Sequence, residues 1–149
     1  MPLNRAFIGR EYASDQTYEV SRELIRKFAD AIGDQSPAYR DIEAAKALGH
    51  PDVIAPPTFP IVITAAAGNR AATDPELGVN YAMVVHGEQS FEYVRPLVAG
   101  DVVTTQTTIT DIRDAGRNTL LTNTTEFRTL DGELVCTAHS TLVERGGAA

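Results

Sequence analysis

The 149-residue chain is 43% hydrophobic, long enough for one well-buried core and too short for two ordinary domains. Its formal net charge of -7 excludes a surface built to grip a phosphate backbone, because that affinity comes from clustered Lys and Arg. One cysteine, Cys136, excludes an intrachain disulfide and a multi-thiolate metal site, and no apolar run reaches the roughly 18 residues of a spanning helix.

Met1 to Arg10 lacks the basic start and apolar centre of a secretory signal, so the expected compartment is the cytoplasm. A first strand is expected from Arg10 to Val20. Ser21 then reads as the N-cap of a helix in which Leu24, Ile25, Phe28, Ala29 and Ile32 recur at helical spacing, with Gly33 placed to end it. This helix delivers the loop Gly33-Asp34-Gln35-Ser36-Pro37-Ala38-Tyr39-Arg40-Asp41. Asp41 caps a short second helix through Leu48, and Gly49 stops it.

Ala55-Pro56-Pro57-Thr58-Phe59-Pro60 precedes the most apolar segment, Ile61 to Ala67, continuing to about Ala72. Apolar on nearly all sides, this segment predicts a buried helix. Pro60 suits the first turn, and Thr58 can cap. Because Pro56, Pro57 and Pro60 have no N–H, the donors left at the helix start are those of Thr58, Phe59 and Ile61, and they can polarise a carbonyl oxygen.

From Val79 the pattern changes to Val, Ile, Tyr, Phe and Thr, with strands expected at about Tyr81–Val94, Asp101–Arg113, Asn118–Thr129 and Glu133–Glu144. Pro96 with Gly100-Asp101, then Asp114-Ala115-Gly116, then Asp131-Gly132 read as hairpin connections, which implies consecutive antiparallel strands. Thr-rich strand faces predict one half-exposed side of the sheet, while the other covers the apolar helix. The fold class is therefore α+β: a curved antiparallel sheet wrapped around a central helix. Residues 1–145 form one domain, and Gly146–Ala149 are expected to be a disordered tail.

Three stretches resemble the MaoC-like dehydratase and hydratase family of hotdog-fold proteins, especially its FAS1-like N-terminal dehydratase type. They are the Gly33–Asp41 loop, similar to the family's Asp-x-Asn-Pro-x-His-x-Asp pattern; Ala55–Phe59 at the helix start; and Val85-His86-Gly87-Glu88-Gln89-Ser90-Phe91-Glu92-Tyr93-Val94-Arg95-Pro96 leading to Ala99-Gly100-Asp101. The resemblance covers nearly the whole chain and implies hydration of trans-2-enoyl thioesters to (R)-3-hydroxyacyl thioesters, or the reverse. In such proteins the loop Asp and His activate water, and a backbone N–H at the helix start polarises the thioester carbonyl. Carried over, Asp34 matches the catalytic aspartate, Ser36 replaces the asparagine, and Tyr39 replaces the histidine. Ser36, Pro57, Thr58, Phe59, His86 and Gly87 fall where the resemblance puts substrate contacts.

The Tyr39 departure has a chemical consequence. A phenol with a reference pKa of about 10 is deprotonated in roughly one molecule per thousand at pH 7, whereas an imidazole near ~6.5 is poised for proton transfer. The pattern resembles the acyl-binding, catalytically incomplete subunit of heterodimeric (3R)-hydroxyacyl-carrier-protein dehydratases, whose partner supplies the Asp and His.

Each residue also has a plainer reading. Asp34 after Gly33 is an ordinary turn residue bonding its own backbone. Asp41 is a helix cap, Tyr39 a half-buried packing aromatic. His86 is either a replacement imidazole or a structural histidine bonded within the sheet. Gly87 marks a bulge or close backbone approach. His50 and His139 lack metal-ligand spacing, and neither metal nor cofactor is expected.

Three functions follow: an acyl-thioester-binding subunit needing a catalytic partner, a self-sufficient hydratase using Asp34 with Tyr39, His86 or a water relay, and a non-enzymatic acyl-CoA or small-ligand sensor. The partners implied are an acyl-CoA or acyl-carrier-protein substrate and a second hotdog subunit, since a dimer can pair exposed sheet edges. An acidic carrier would need a local basic patch, for which Arg95, Arg113 and Arg117 are available.

Overall fold

In a computed structural model of the chain, residues 2–66 and 69–148 are described. The N-terminal strand region is two short pieces, β1 (Glu11–Ala13) and β2 (Tyr18–Glu19). The helix α1 (Arg22–Ala31) follows, with the Ser21 hydroxyl accepting from the Leu24 N–H at 3.2 Å. Gly33, at φ +72°, reverses the chain after it in the left-handed region that L side chains avoid. A single 3-10 turn, Pro37–Tyr39, leads to α2 (Ile42–Ala47), whose first turn is capped by the Asp41 carboxylate at the Glu43 and Ala44 N–H groups.

The expected central helix is shorter than its apolar run. It divides into α3 (Pro60–Ala66) and α4 (Arg70–Thr73), and α4 starts afresh with the Asn69 side chain accepting from the Ala72 N–H. Ala67 and Gly68 lie outside the described residues. Nor is α3 buried all round: Ile63 is inaccessible, whereas Ile61 is 37% exposed and Ala65 is exposed.

Four long strands follow: β3 (Val84–Tyr93), β4 (Val102–Ala115), β5 (Asn118–Thr129) and β6 (Leu134–Glu144). Tyr81–Met83, expected at the start of β3, is a 3-10 turn. Together they make a six-stranded antiparallel sheet in the order β1-β4-β5-β6-β3, with β2 also on β4. The β4–β5 and β5–β6 links are hairpins, as expected. The Pro96–Asp101 link is not, because β3 pairs with β6 at the far edge rather than with β4. Its residues explain the difference. Leu97 and Val98 are buried, the Ala55 N–H bonds the Leu97 carbonyl, the Ala99 N–H bonds the Val53 carbonyl, and Ile54 bridges Val98. This connection is pinned beneath the segment that enters α3, so it spans the sheet instead of turning back.

Arg95 holds the crossing. Its guanidinium bonds both Asp101 oxygens at 2.8 and 3.0 Å and Glu133 at 3.0 Å. Arg95 is thus consumed by the fold and does not supply a basic patch for a carrier.

The core has two parts. One, under α3, joins Ile25, Phe59, Ile63, Val103 and Phe127; the other joins Leu3, Phe7, Leu77, Ile109 and Leu121 beside α4. Threonines lie on both faces of the sheet: Thr105, Thr119 and Thr125 are buried. The Gly146 N–H bonds Asn118 Oδ1 and the Ala148 N–H bonds the Arg117 carbonyl.

Gly87 shows both features anticipated for it. The β3–β6 register shifts between His86 and Glu88, and a Cβ on Gly87 would lie 2.9 Å from Val143 Cγ2 and 3.1 Å from the Thr141 carbonyl oxygen. Gly87→Ala is expected to cost about 1–3 kcal/mol from this overpacking, read as a lower urea midpoint. An unchanged midpoint would mean that β3 moves freely away from β6.

Cys136 is a buried core residue opposite Tyr93, and burial pushes its thiol up to about 11. A protonated, inaccessible thiol is a poor nucleophile. Iodoacetamide at pH 8 is expected to leave the folded chain unmodified and to alkylate Cys136 in denaturant; rapid native alkylation would contradict this placement.

Candidate functional site

The loop after α1 is built around backbone bonds. The Asp34 N–H caps the Ala29 carbonyl at 2.9 Å, and Asp34 Oδ1 accepts from the Ser36 N–H at 3.0 Å. Arg40 clamps the loop from beneath: it donates to the Asp34 carbonyl at 2.6 Å and to the Asp30 carboxylate. The aspartate is therefore in the turn geometry of the plainer reading.

Tyr39 sits half-buried against the α3 core cluster. Burial first, and the Asp34 charge second, raise its phenol above the ordinary value. Both effects disfavour phenolate, so at neutral pH Tyr39 donates a hydrogen bond and does not take a proton. Tyr93 lies at the same end of the domain: its hydroxyl donates to the Pro57 carbonyl at 2.7 Å, and its own pKa is raised by burial, then by Cys136 and Tyr39. Sequence reasoning passed over Tyr93, which reads there as one more strand aromatic.

At the start of α3 the expected donors reduce further. The Phe59 N–H is spent on the Pro56 carbonyl and the Ile61 N–H on the Thr58 carbonyl. Among the described residues the Thr58 N–H has no acceptor, which leaves it as the donor available to a carbonyl oxygen. Pro57 and Thr58 are exposed, whereas Phe59 is inaccessible and meets Phe28 edge-on at 5.5 Å between ring centroids.

A cavity of about 350 Å³ lies elsewhere, over the concave face of the sheet between α3 and α4. Of the expected site residues only His86 lines it; Asp34, Ser36, Tyr39, Pro57 and Thr58 do not. His86 Nε2 is 3.2 Å from Gln89 Oε1 and 3.3 Å from Ser140 Oγ, a bonded histidine that still opens on the cavity. Gly87 beside it makes the bulge that turns this part of β3. The sequence-derived site is thus divided into a loop end and a cavity wall, with Phe59 packed in the core. Among the described residues there is no group of three His, Cys, Asp or Glu that could hold a metal ion.

A family model, FAS1-like, dehydratase domain region, matches residues 6–138. The chain belongs to the FAS1-like dehydratase family. A UPF0336 protein of Saccharopolyspora erythraea is 53% identical over 148 residues, covering 99% of this chain and 95% of the relative. Among solved structures, a MaoC-like dehydratase superposes with a TM-score of 0.87 at 36% identity, over 94% of this chain. This chain spans only 42% of that protein's length. The C-terminally truncated HadBC (3R-hydroxyacyl-ACP dehydratase) complex from Mycobacterium tuberculosis matches at 26% identity and a TM-score of 0.83, over 92% of this chain and 96% of that one. The FAS1-like dehydratase chain accordingly has the hotdog fold, and its likeness is to hydratases and dehydratases. Among the described residues no helix is long and apolar enough to cross a membrane.

Proposed function

We propose that this chain is the acyl-thioester-binding, catalytically incomplete subunit of a cytoplasmic (3R)-hydroxyacyl-thioester dehydratase of fatty-acid metabolism. Residues 1–145 act as its single hotdog domain, and a second hotdog subunit provides the water-activating pair. The observation that carries this reading is Tyr39, a phenol kept neutral by burial and by Asp34, at the place where the family pattern has histidine.

Three further features support it. Asp34 Oδ1 is engaged by the Ser36 N–H, and neither residue opens on the cavity. The outer edge of β3, ten residues long, pairs with no other strand among the described residues, and a second subunit could continue the sheet there. The HadBC structure is of a dehydratase complex, and the longer MaoC-like dehydratase leaves over half of its chain outside the matched part. In this reading Thr58 presents its N–H to the thioester carbonyl, Pro57 and Ser36 flank it, and coenzyme A or an acyl carrier protein bears the acyl group.

His86 favours one competing reading, since its imidazole lines the cavity and lies 3.3 Å from Ser140 Oγ. The test is hydration of a short trans-2-enoyl-CoA by the purified chain alone, with Asp34→Ala and His86→Ala as controls. No turnover by a folded chain is the expected result. Turnover abolished by either substitution would make the chain a self-sufficient hydratase and overturn the proposal.

A further inference from the structure

The concave face of the sheet is apolar at both ends and polar in the middle. Toward α3 it carries Val103, Phe127 and Cys136; toward α4, Ile109, Leu121 and Leu142. Between them lie Thr105, Thr107 and Thr125, with Thr107 Oγ1 and Thr125 Oγ1 2.8 Å apart, and then a cross-strand row of Asn123, Ser140 and Gln89. All of these line the cavity, and Thr105, Asn123 and Thr125 are more than nine-tenths buried.

Asn123 stands out within the row. Its Oδ1 is buried with no hydrogen-bond partner, and its side-chain amide makes no hydrogen bond to any described residue. Buried polar groups in folded proteins are paired as a rule, so an unpaired amide on a cavity wall marks a place for an occupant that bonds it. Folding alone does not require polar residues here, since the rows on either side are filled by Val, Ile, Leu and Phe. The opposite wall is different again: Ile61, Ala65 and Ala71 are apolar, and of the polar groups beside them the Thr64 hydroxyl donates to the Ile61 carbonyl and Asn69 Oδ1 accepts from the Ala72 N–H. The one charged group lining the cavity among the described residues, Arg70, is bonded to Asp15 and the Ala13 carbonyl. The occupant matched by an apolar roof, a neutral hydrogen-bonding floor and no free charge is a carbon chain bearing uncharged oxygen along one edge. The volume corresponds to about twelve water molecules.

We infer that this cavity receives the acyl part of the thioester and selects chains carrying a hydroxyl or carbonyl group beyond the reacting carbons over saturated chains of the same length, with Asn123 as the specificity-determining residue. The inference rests on the acyl-binding reading above and adds the class of acyl group to it.

Calorimetric titration of the full chain with octanoyl-CoA and 5-hydroxyoctanoyl-CoA tests it. The hydroxylated thioester is expected to bind roughly tenfold more tightly, the discrimination of a site with a buried polar group that the saturated chain leaves unpaired. Asn123→Leu is expected to bring the two within about twofold, chiefly by weakening the hydroxylated ligand. If Asn123→Leu does not fold, as judged by circular dichroism, Thr125→Val serves in its place. Equal or tighter binding of octanoyl-CoA, or a preference unchanged in the variant, overturns the selectivity while leaving acyl binding intact. Binding of neither thioester overturns the acyl-binding reading itself and this inference with it.

Discussion

Phe59→Ala is expected to destabilise the chain by about 3–5 kcal/mol. Phe59 is fully inaccessible at the start of α3, its ring meets Phe28 at 83° and 5.5 Å, and it sits in the cluster that joins α1, α3 and the sheet. Truncation removes the transfer energy of an aromatic ring and leaves a void that α3, anchored by the Phe59 and Ile61 backbone bonds, cannot readily close. Against a typical domain stability of about 5–15 kcal/mol, much of the folded margin is lost. Urea denaturation followed by circular dichroism measures it. Phe59→Leu, which keeps most of the volume, should cost less than about 1.5 kcal/mol and retain ligand binding. An unchanged midpoint in Phe59→Ala together with abolished acyl-CoA binding would return this residue to the binding site that the family resemblance suggested.

The second large effect is on activity. Mixing the chain with a hotdog subunit that carries an intact Asp and His is expected to raise enoyl-CoA hydration over the sum of the separate subunits by roughly 10²–10⁴-fold, the usual contribution of a positioned acid–base group. Substituting the partner's histidine should remove the gain. Asp34→Ala should preserve most of it, because Asp34 is engaged in its own turn and Tyr39 beside it stays protonated. Steady-state rates of the mixture, with co-elution of the two chains as a check on assembly, decide the matter. A rate that collapses in Asp34→Ala while the complex still forms would place this loop in the chemistry.

Local signals were legible wherever the sequence itself held the whole interaction. Ser21 and Asp41 cap their helices with their own side chains, within three residues of the N–H groups they serve. Gly87 marked a bulge because any side chain there would meet Thr141 and Val143. The β4–β5–β6 hairpins followed from their turn residues and strand patterns. The Pro96–Asp101 connection misled because its Pro, Gly and Asp resemble a hairpin turn, while Leu97 and Val98 between them are buried by contact with a segment some forty residues earlier.

The site divided along the same line. The Asp34 loop and its tyrosine are contiguous residues, and their family pattern is readable from spacing. Asn123, Thr105, Thr125 and Ser140 come from three strands, and each alone is an ordinary strand residue. A signal was present in the alternation, since Thr105 and Thr107 occupy the same face as Val103 and Ile109. It could not be used until the inward face was assigned.

By itself the sequence determined the antiparallel hairpins, the helix caps, the family pattern and the loss of an imidazole at position 39, because each depends on residues close in the chain. Only the tertiary structure decided that β3 pairs with β6, that the apolar run divides into α3 and α4, and that the loop carboxylate and the cavity lie apart. Those outcomes depend on which buried surfaces meet across the sheet, and side-chain burial between distant segments is a property of the packed molecule rather than of any local stretch.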